Sequence, residues 1–334
     1  MSTPGFRALR RAFPDAHITL HGREELLPLL GGAPWFDAVR PLESYHRGLR
    51  AVLREGRALR AEARYDLGVC IPDSWSSALL MRAAGVVRIV GHARGRRWLL
   101  HDAVASAPGR RVAREQHVLE LVERVGAPDA GTHLELFTTP EDGRRAGEIL
   151  RRHGAGDASP RIGIAPGASF GPSKRWAPES FARVGDAAAE RGFEVLILGA
   201  PGEEALADRV RSAMTSPARA LAGALDLGAF KAVIRSLRAL VCNDAGARHV
   251  AVAFGVPCVT LFGPTSVEKT SWNLDRVRVI ETDVPCRPCY ERTCPIDHRC
   301  MTRLSPERVV LALDDCLAPE SSAGGRREAE NAGT

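Results

Sequence analysis

Short apolar runs bounded by turn residues alternate along this chain with stretches of helical period. Leu67-Gly68-Val69-Cys70-Ile71, Arg161 to Ala165, Phe193 to Leu198, Leu240 to Cys242 and Cys258 to Phe262 are short, dominantly apolar stretches. Such runs suit strands buried on both faces, as a parallel sheet between helices requires. Weaker strands are expected at His17 to Leu20, Phe36 to Val39, Arg88 to Val90 and Val277 to Glu281. Amphipathic helices fall between them: Arg23 to Leu30, 47–63, Ser76 to Ala84, 115–125, Glu141 to Arg152, Pro178 to Glu190, Glu203 to Met214, Leu227 to Arg235, Ala247 to Phe254 and Val309 to Cys316. The first element is itself a helix, with Thr3 as cap and Pro4 at its first position, running to Ala12. A doubly wound domain usually opens with a strand, and here none precedes that helix. The reading is α/β in two Rossmann-like halves, 1–135 and 140–317, joined through an aperiodic segment at 127–139 and followed by a polar, Gly-rich tail, 318–334, expected to be disordered.

The length of 334 residues gives each half room for its own core. The formal charge of +6 comes mainly from arginines spread along the chain, with no aromatic-studded basic run. That ranks an anionic small molecule or anionic lipid headgroup above nucleic acid as partner. No apolar run approaches the roughly 18 residues of a membrane span, so a cytoplasmic location is expected. There, eight cysteines are no disulfide framework.

Two strand ends in the second half carry the candidate chemistry. In Leu240 to Pro264 a strand meets a helix at Asn243-Asp244-Ala245-Gly246. The crevice beyond the carboxyl ends of parallel strands is the usual ligand position. Gly246 lets backbone approach a ligand, and free N–H groups of the first helical turn suit a phosphate. His249 is near enough to point back toward that mouth, while the plain alternative makes Asp244 an N-cap. In Arg161 to Trp176 a strand runs into a Pro-Gly loop with Ser169, Ser173, Lys174 and Arg175. Hydroxyls, N–H groups and one ammonium make that loop a second phosphate-binding candidate. The loop lacks the Walker A spacing, and no G-x-G-x-x-G follows any strand.

The segments PGASFGPSKRW and CNDAGARHVAVAFGVPCVTLFGPTS resemble the ADP-heptose:lipopolysaccharide heptosyltransferases of glycosyltransferase family 9, most of all the heptosyltransferase II branch. STPGFRALRRAFPDAHITL and LGVCIPDSWSSALLMRAAGVVRIVGHARGRRWLLHDAV are similar to the acceptor-side half of the same family. The resemblance implies a GT-B fold, with acceptor on the first half and nucleotide sugar on the second. It implies inverting transfer of L-glycero-D-manno-heptose from ADP-heptose to the lipopolysaccharide inner core, no metal for the transfer, and a peripheral position on the cytoplasmic face of the inner membrane. Alternatives are the first or third heptosyltransferase, another sugar transferase of the family, or a truncated non-catalytic relative. By position, Lys174 would bind donor phosphate beside Ser169 and Ser173. Asp244 would hold sugar hydroxyls, Gly246 the diphosphate, and His249 phosphate or ribose. Glu204 would contact the nucleoside, with Glu203 nearly as good a choice. Ala245 stands where the family has Ser or Thr; the lost hydrogen bond is worth about 0.5–1.5 kcal/mol.

The family's base is an Asp in a Gly-Asp pair shortly before Thr-Pro, and its expected position precedes Met1-Ser2-Thr3-Pro4. The sequence therefore assigns no catalytic base, and activity of the chain as given is in question. Asp73 and Ser74, at a strand end of the first half, and Arg94, Arg96 and Arg97 are expected on the acceptor side, where guanidiniums pair with phosphates. Asp73 also reads as a turn cap. Finally, Cys286-x2-Cys289-x4-Cys294-x5-Cys300 has the spacing of a structural metal site, zinc first and iron second, with reduced thiols as the plain alternative. Cys70, Cys242 and Cys258 read as core residues.

Overall fold

The computed structural model describes residues 1–42, 48–105, 113–156 and 159–318. The expected disorder at 318–334 lies outside them except for Ala318. The first half opens with α1 (Thr3–Ala12), followed by β1 (Thr19–Gly22), a 3-10 helix (Glu24–Leu30) and β2 (Ala38–Pro41). Then come α2 (Leu49–Glu62), β3 (Leu67–Cys70), α3 (Trp75–Ala83), β4 (Arg88–His92), β5 (Asp102–Val104) and α4 (Arg114–Glu123). Among the described residues its strands form two separate parallel sheets, β1-β2 and β3-β4-β5. Thr3 does not cap α1. Ser2 holds that position, and the Thr3 hydroxyl instead accepts a hydrogen bond from the Glu135 N–H at 3.3 Å.

The second half comprises α5 (Pro140–Arg152), β6 (Arg161–Ala165), α6 (Pro178–Glu190), β7 (Glu194–Ile197), α7 (Glu204–Ala213), β8 (Ala218–Ala220), α8 (Leu227–Arg235), β9 (Ala239–Asn243), α9 (Gly246–Ala253), β10 (Cys258–Phe262), β11 (Val277–Glu281), α10 (Arg299–Thr302) and α11 (Pro306–Leu317). Its strands form one parallel sheet in the order β11-β10-β9-β6-β7-β8. Alternate residues of each strand feed two cores. Ile162, Ile164, Val195, Ile197, Val241, Val259 and Leu261 pack with α6, α7 and α11 on one face. Leu196, Leu198, Leu240, Cys242 and Cys258 pack with α5, α8 and α9 on the other. Burial on both faces is why these strands read as dominantly apolar runs. The strand order turns between β6 and β9, and the loops after those two strands carry the candidate site.

The halves are tied together by buried polar side chains. The Lys231 ammonium on α8, wholly buried, donates to the carbonyls of Pro28 and Gly31 at 2.8 Å each and pairs with Asp142 at 3.1 Å. Burial lowers its pKa, partly opposed by Asp142. Arg7 of α1 donates to the carbonyls of Ala130, Gly131 and His133 and pairs with Glu135, fixing the connecting segment.

Candidate active site

The β9–α9 turn is built so that its backbone remains open. The N-cap of α9 is Ala245, which offers no side-chain bond, so the expected Asp244 cap is not formed. Donors in the first turn are therefore available to an anion, and the helix dipole favours one there. A Cβ added at Gly246 would meet no protein atom within 4 Å, so the space over that residue is open. Asp244 instead points to Lys174. The ammonium lies 2.5 Å from Asp244 Oδ2 and 3.0 Å from its carbonyl, and Thr265 Oγ1 donates to the same carboxylate at 2.8 Å. Both members of the pair are largely buried. Asn243 anchors the loops to each other: its amide donates to Pro166 O at 2.7 Å, and its Oδ1 accepts from the Trp176 N–H at 3.3 Å. Lys174 also lies 5.1 Å from the centre of the Phe170 ring.

His249 is half-buried on α9. Burial first, then the positive charge of Arg248, pushes its pKa down to about 3, so it acts as a neutral ring at physiological pH. Its neighbour Arg248 is buried, donates to Thr270 O at 2.8 Å and lies over the Phe262 ring. Of the two expected nucleoside acids, Glu203 faces the loop: a Cβ at Gly167 would stand 2.2 Å from its carboxylate oxygens. Glu204 turns away, accepts from the Gly202 N–H at 3.0 Å and lies against Gly223. Ser173 is buried and turned from the mouth, its hydroxyl donating to Glu291 O at 2.5 Å. Ser169 is exposed.

In the first half, Asp73 is the centre of a charged network. It lies 3.3 Å from Arg94, 4.0 Å from Arg96 and 3.1 Å from His117 Nε2. His117 stacks on His92 with ring centres 3.5 Å apart, and burial lowers its pKa against the opposing effect of Asp73. Ser74 is the N-cap of α3, accepting from the Ser77 N–H at 3.2 Å. Arg96 does not face an acceptor. It is fully buried and donates to Ser74 O, Ser77 Oγ and His92 O, locking the β3–α3 turn to β4. Arg94 and Arg97 are exposed. Beside them stand Trp75 and Trp98, each more than half exposed, with ring centres 5.3 Å apart. Sequence reasoning passed over that pair. It also missed Glu115, a buried acid in the first turn of α4 whose Oε2 has no hydrogen-bond partner. Burial raises the Glu115 pKa, offset in part by its own backbone N–H and then by the charges of the chain's amino terminus and Arg248.

The family model for glycosyltransferase family 9 (heptosyltransferase) matches residues 52–299, which include β3 to α4, the Lys174 loop, the α9 turn and the cysteine segment up to, but not including, Cys300. The chain belongs to glycosyltransferase family 9. Lipopolysaccharide heptosyltransferase 2 of Escherichia coli K12 is 28% identical over 96% of each chain. The solved structure of E. coli ADP-heptose lps heptosyltransferase II superposes with a TM-score of 0.79 at 25% identity, over 95% of this chain and 94% of that one. A family 9 glycosyl transferase from Veillonella parvula matches at 0.82 and 22% identity, over 95% and 92%, and supports the fold alone. This glycosyltransferase therefore has the GT-B architecture, and the paired loops after β6 and β9 lie on its second Rossmann-like unit. The four clustered cysteines, Cys286, Cys289, Cys294 and Cys300, line one cavity.

Proposed function

We propose that this glycosyltransferase moves L-glycero-D-manno-heptose from ADP-heptose to the inner core of lipopolysaccharide, as a heptosyltransferase II does. The observation that carries the reading is the Lys174–Asp244–Thr265 cluster beside the uncapped start of α9. An inverting transfer expels a nucleoside diphosphate, so charge develops on its oxygens. An ammonium and fixed N–H groups aimed at that charge lower the barrier without reorganising. Asp244, held rigid by two partners, has its second oxygen for a sugar hydroxyl, and neutral His249 can donate or accept one hydrogen bond. Glu203, more than Glu204, suits the nucleoside. Incubation with ADP-heptose and heptose-deficient lipopolysaccharide should yield an acceptor heavier by one heptose residue, and absence of that product would count against the reading.

The acceptor is a glycolipid, and the Trp75–Trp98 pair beside Arg94 and Arg97 has the composition of a membrane-surface contact. Among the described residues no helix is long and apolar enough to cross a membrane, so association would be peripheral. The protein should co-sediment with anionic vesicles, and Trp75→Ala with Trp98→Ala should reduce the bound fraction several-fold. Equal sedimentation of variant and parent would remove the pair from this role.

A further inference from the structure

The cysteine segment is not a free appendage of the second half. It is fastened to the Ser173–Lys174 loop after β6 and to the loop after β10 by hydrogen bonds, each with a main-chain atom on at least one side. Ser173 N–H donates to Arg292 O at 3.1 Å, and Ser173 Oγ donates to Glu291 O at 2.5 Å. His298 Nε2 lies 2.6 Å from Ser173 O, and Arg292 Nε donates to Phe170 O at 2.9 Å. On the other side, Arg287 Nε donates to Gly263 O at 2.6 Å and Tyr290 N–H donates to Pro264 O at 3.0 Å. The approach is so close that a Cβ on Gly171 would stand 2.4 Å from Arg292 O. Lys174 follows Ser173 directly. The shape of residues 286–300 therefore bears on where the Lys174 backbone stands, while Asp244 holds its ammonium.

Those bonds hold the segment's edges, and no regular secondary structure shapes its middle. Residues 282–298 contain no helix or strand. All four thiols are free, and they run from exposed (Cys286, Cys289) through half-buried (Cys294) to buried (Cys300) around one small cavity. Such a loop has too few apolar side chains to order itself, which is the situation in which metal ligation supplies folding energy. Among the described residues, the donor atoms that lie within 4.8 Å of one another belong to His92, His117 and Glu120. The four sulfurs are spread more loosely, so ligation at Zn–S distances of about 2.3 Å would draw the loop inward.

We propose that Cys286, Cys289, Cys294 and Cys300 bind one thiophilic divalent cation, zinc or iron(II), as four thiolates, and that this ion braces the Ser173–Lys174 loop for nucleotide binding. With four protein ligands the ion keeps no position for water, so it takes no part in the transfer. The bracing rests on the donor-site reading above; the ion site does not. Elemental analysis of the full chain, purified without chelator, should find about one metal per chain, falling to near zero in Cys289→Ser and unchanged in Cys316→Ser. Calorimetry with ADP should then give a Kd weaker by roughly three- to ten-fold in metal-stripped parent protein, the cost of ordering one or two side chains on binding, and restored when metal is returned. Metal-free protein with four titratable thiols after growth in zinc- and iron-supplemented medium would overturn the site. A full metal complement whose removal leaves the ADP Kd unchanged would overturn the brace. No ADP binding by metal-loaded protein would instead overturn the donor-site reading on which the brace rests.

Discussion

Lys174→Ala should weaken binding of ADP-heptose by about 1.5–3 kcal/mol, roughly ten- to hundred-fold in Kd, the scale of a hydrogen bond to a charged group. The change reaches the fold as well as the affinity. Asp244 is largely buried, and the Lys174 ammonium is one of its two side-chain partners, Thr265 being the other. Removing the lysine leaves a carboxylate with half its compensation, so stability falls as well. The two effects separate in a double variant. Lys174→Ala with Asp244→Asn should regain stability, because no buried charge is left alone, yet should not regain affinity. Equal calorimetric affinities for parent and Lys174→Ala would remove this residue from the site.

Lys231→Met should cost about 3–5 kcal/mol of unfolding free energy, the range for breaking a buried ion pair from one side. Its ammonium satisfies the carbonyls of Pro28, inside the 3-10 helix, and Gly31, just after it, and the Asp142 carboxylate at once. Methionine fills the volume but takes one donor from each of the three acceptors, leaving Asp142 with the Thr139 N–H. Denaturant unfolding followed by circular dichroism measures the loss. Adding Asp142→Asn, which can still accept from the Thr139 N–H at the start of α5, should recover part of it. A loss below about 1 kcal/mol, the value of an exposed pair, would mean that water replaces the ammonium.

The strands of the second half were legible because burial on both faces leaves a dominantly apolar signature. β6, β10 and β11 fall on the residues read from the pattern, and β7 and β9 within one or two. β5 and β8 were not legible: each is three residues long and half-buried throughout, which leaves no period to detect. Glu24 to Leu30 forms a 3-10 helix where an α-helix was expected, with Pro28 inside it denying an α-helical donor. In the site, Lys174, Asp244 and the α9 start were visible because strand-end loops announce themselves by Gly, Pro and hydroxyl residues. Arg96 was misassigned because a guanidinium that caps carbonyls inside a fold is written with the same letter as one facing solvent. The bonds tying the cysteine segment to Ser173 were invisible for a related reason: each has a main-chain carbonyl as acceptor, which every residue has.

The most direct measurement is mass spectrometry of the acceptor glycolipid after incubation with this chain and ADP-heptose, with Lys174→Ala alongside. The account predicts an acceptor heavier by one heptose residue, release of ADP, and a strongly reduced yield with the variant. An acceptor of unchanged mass in the presence of bound ADP-heptose would contradict it.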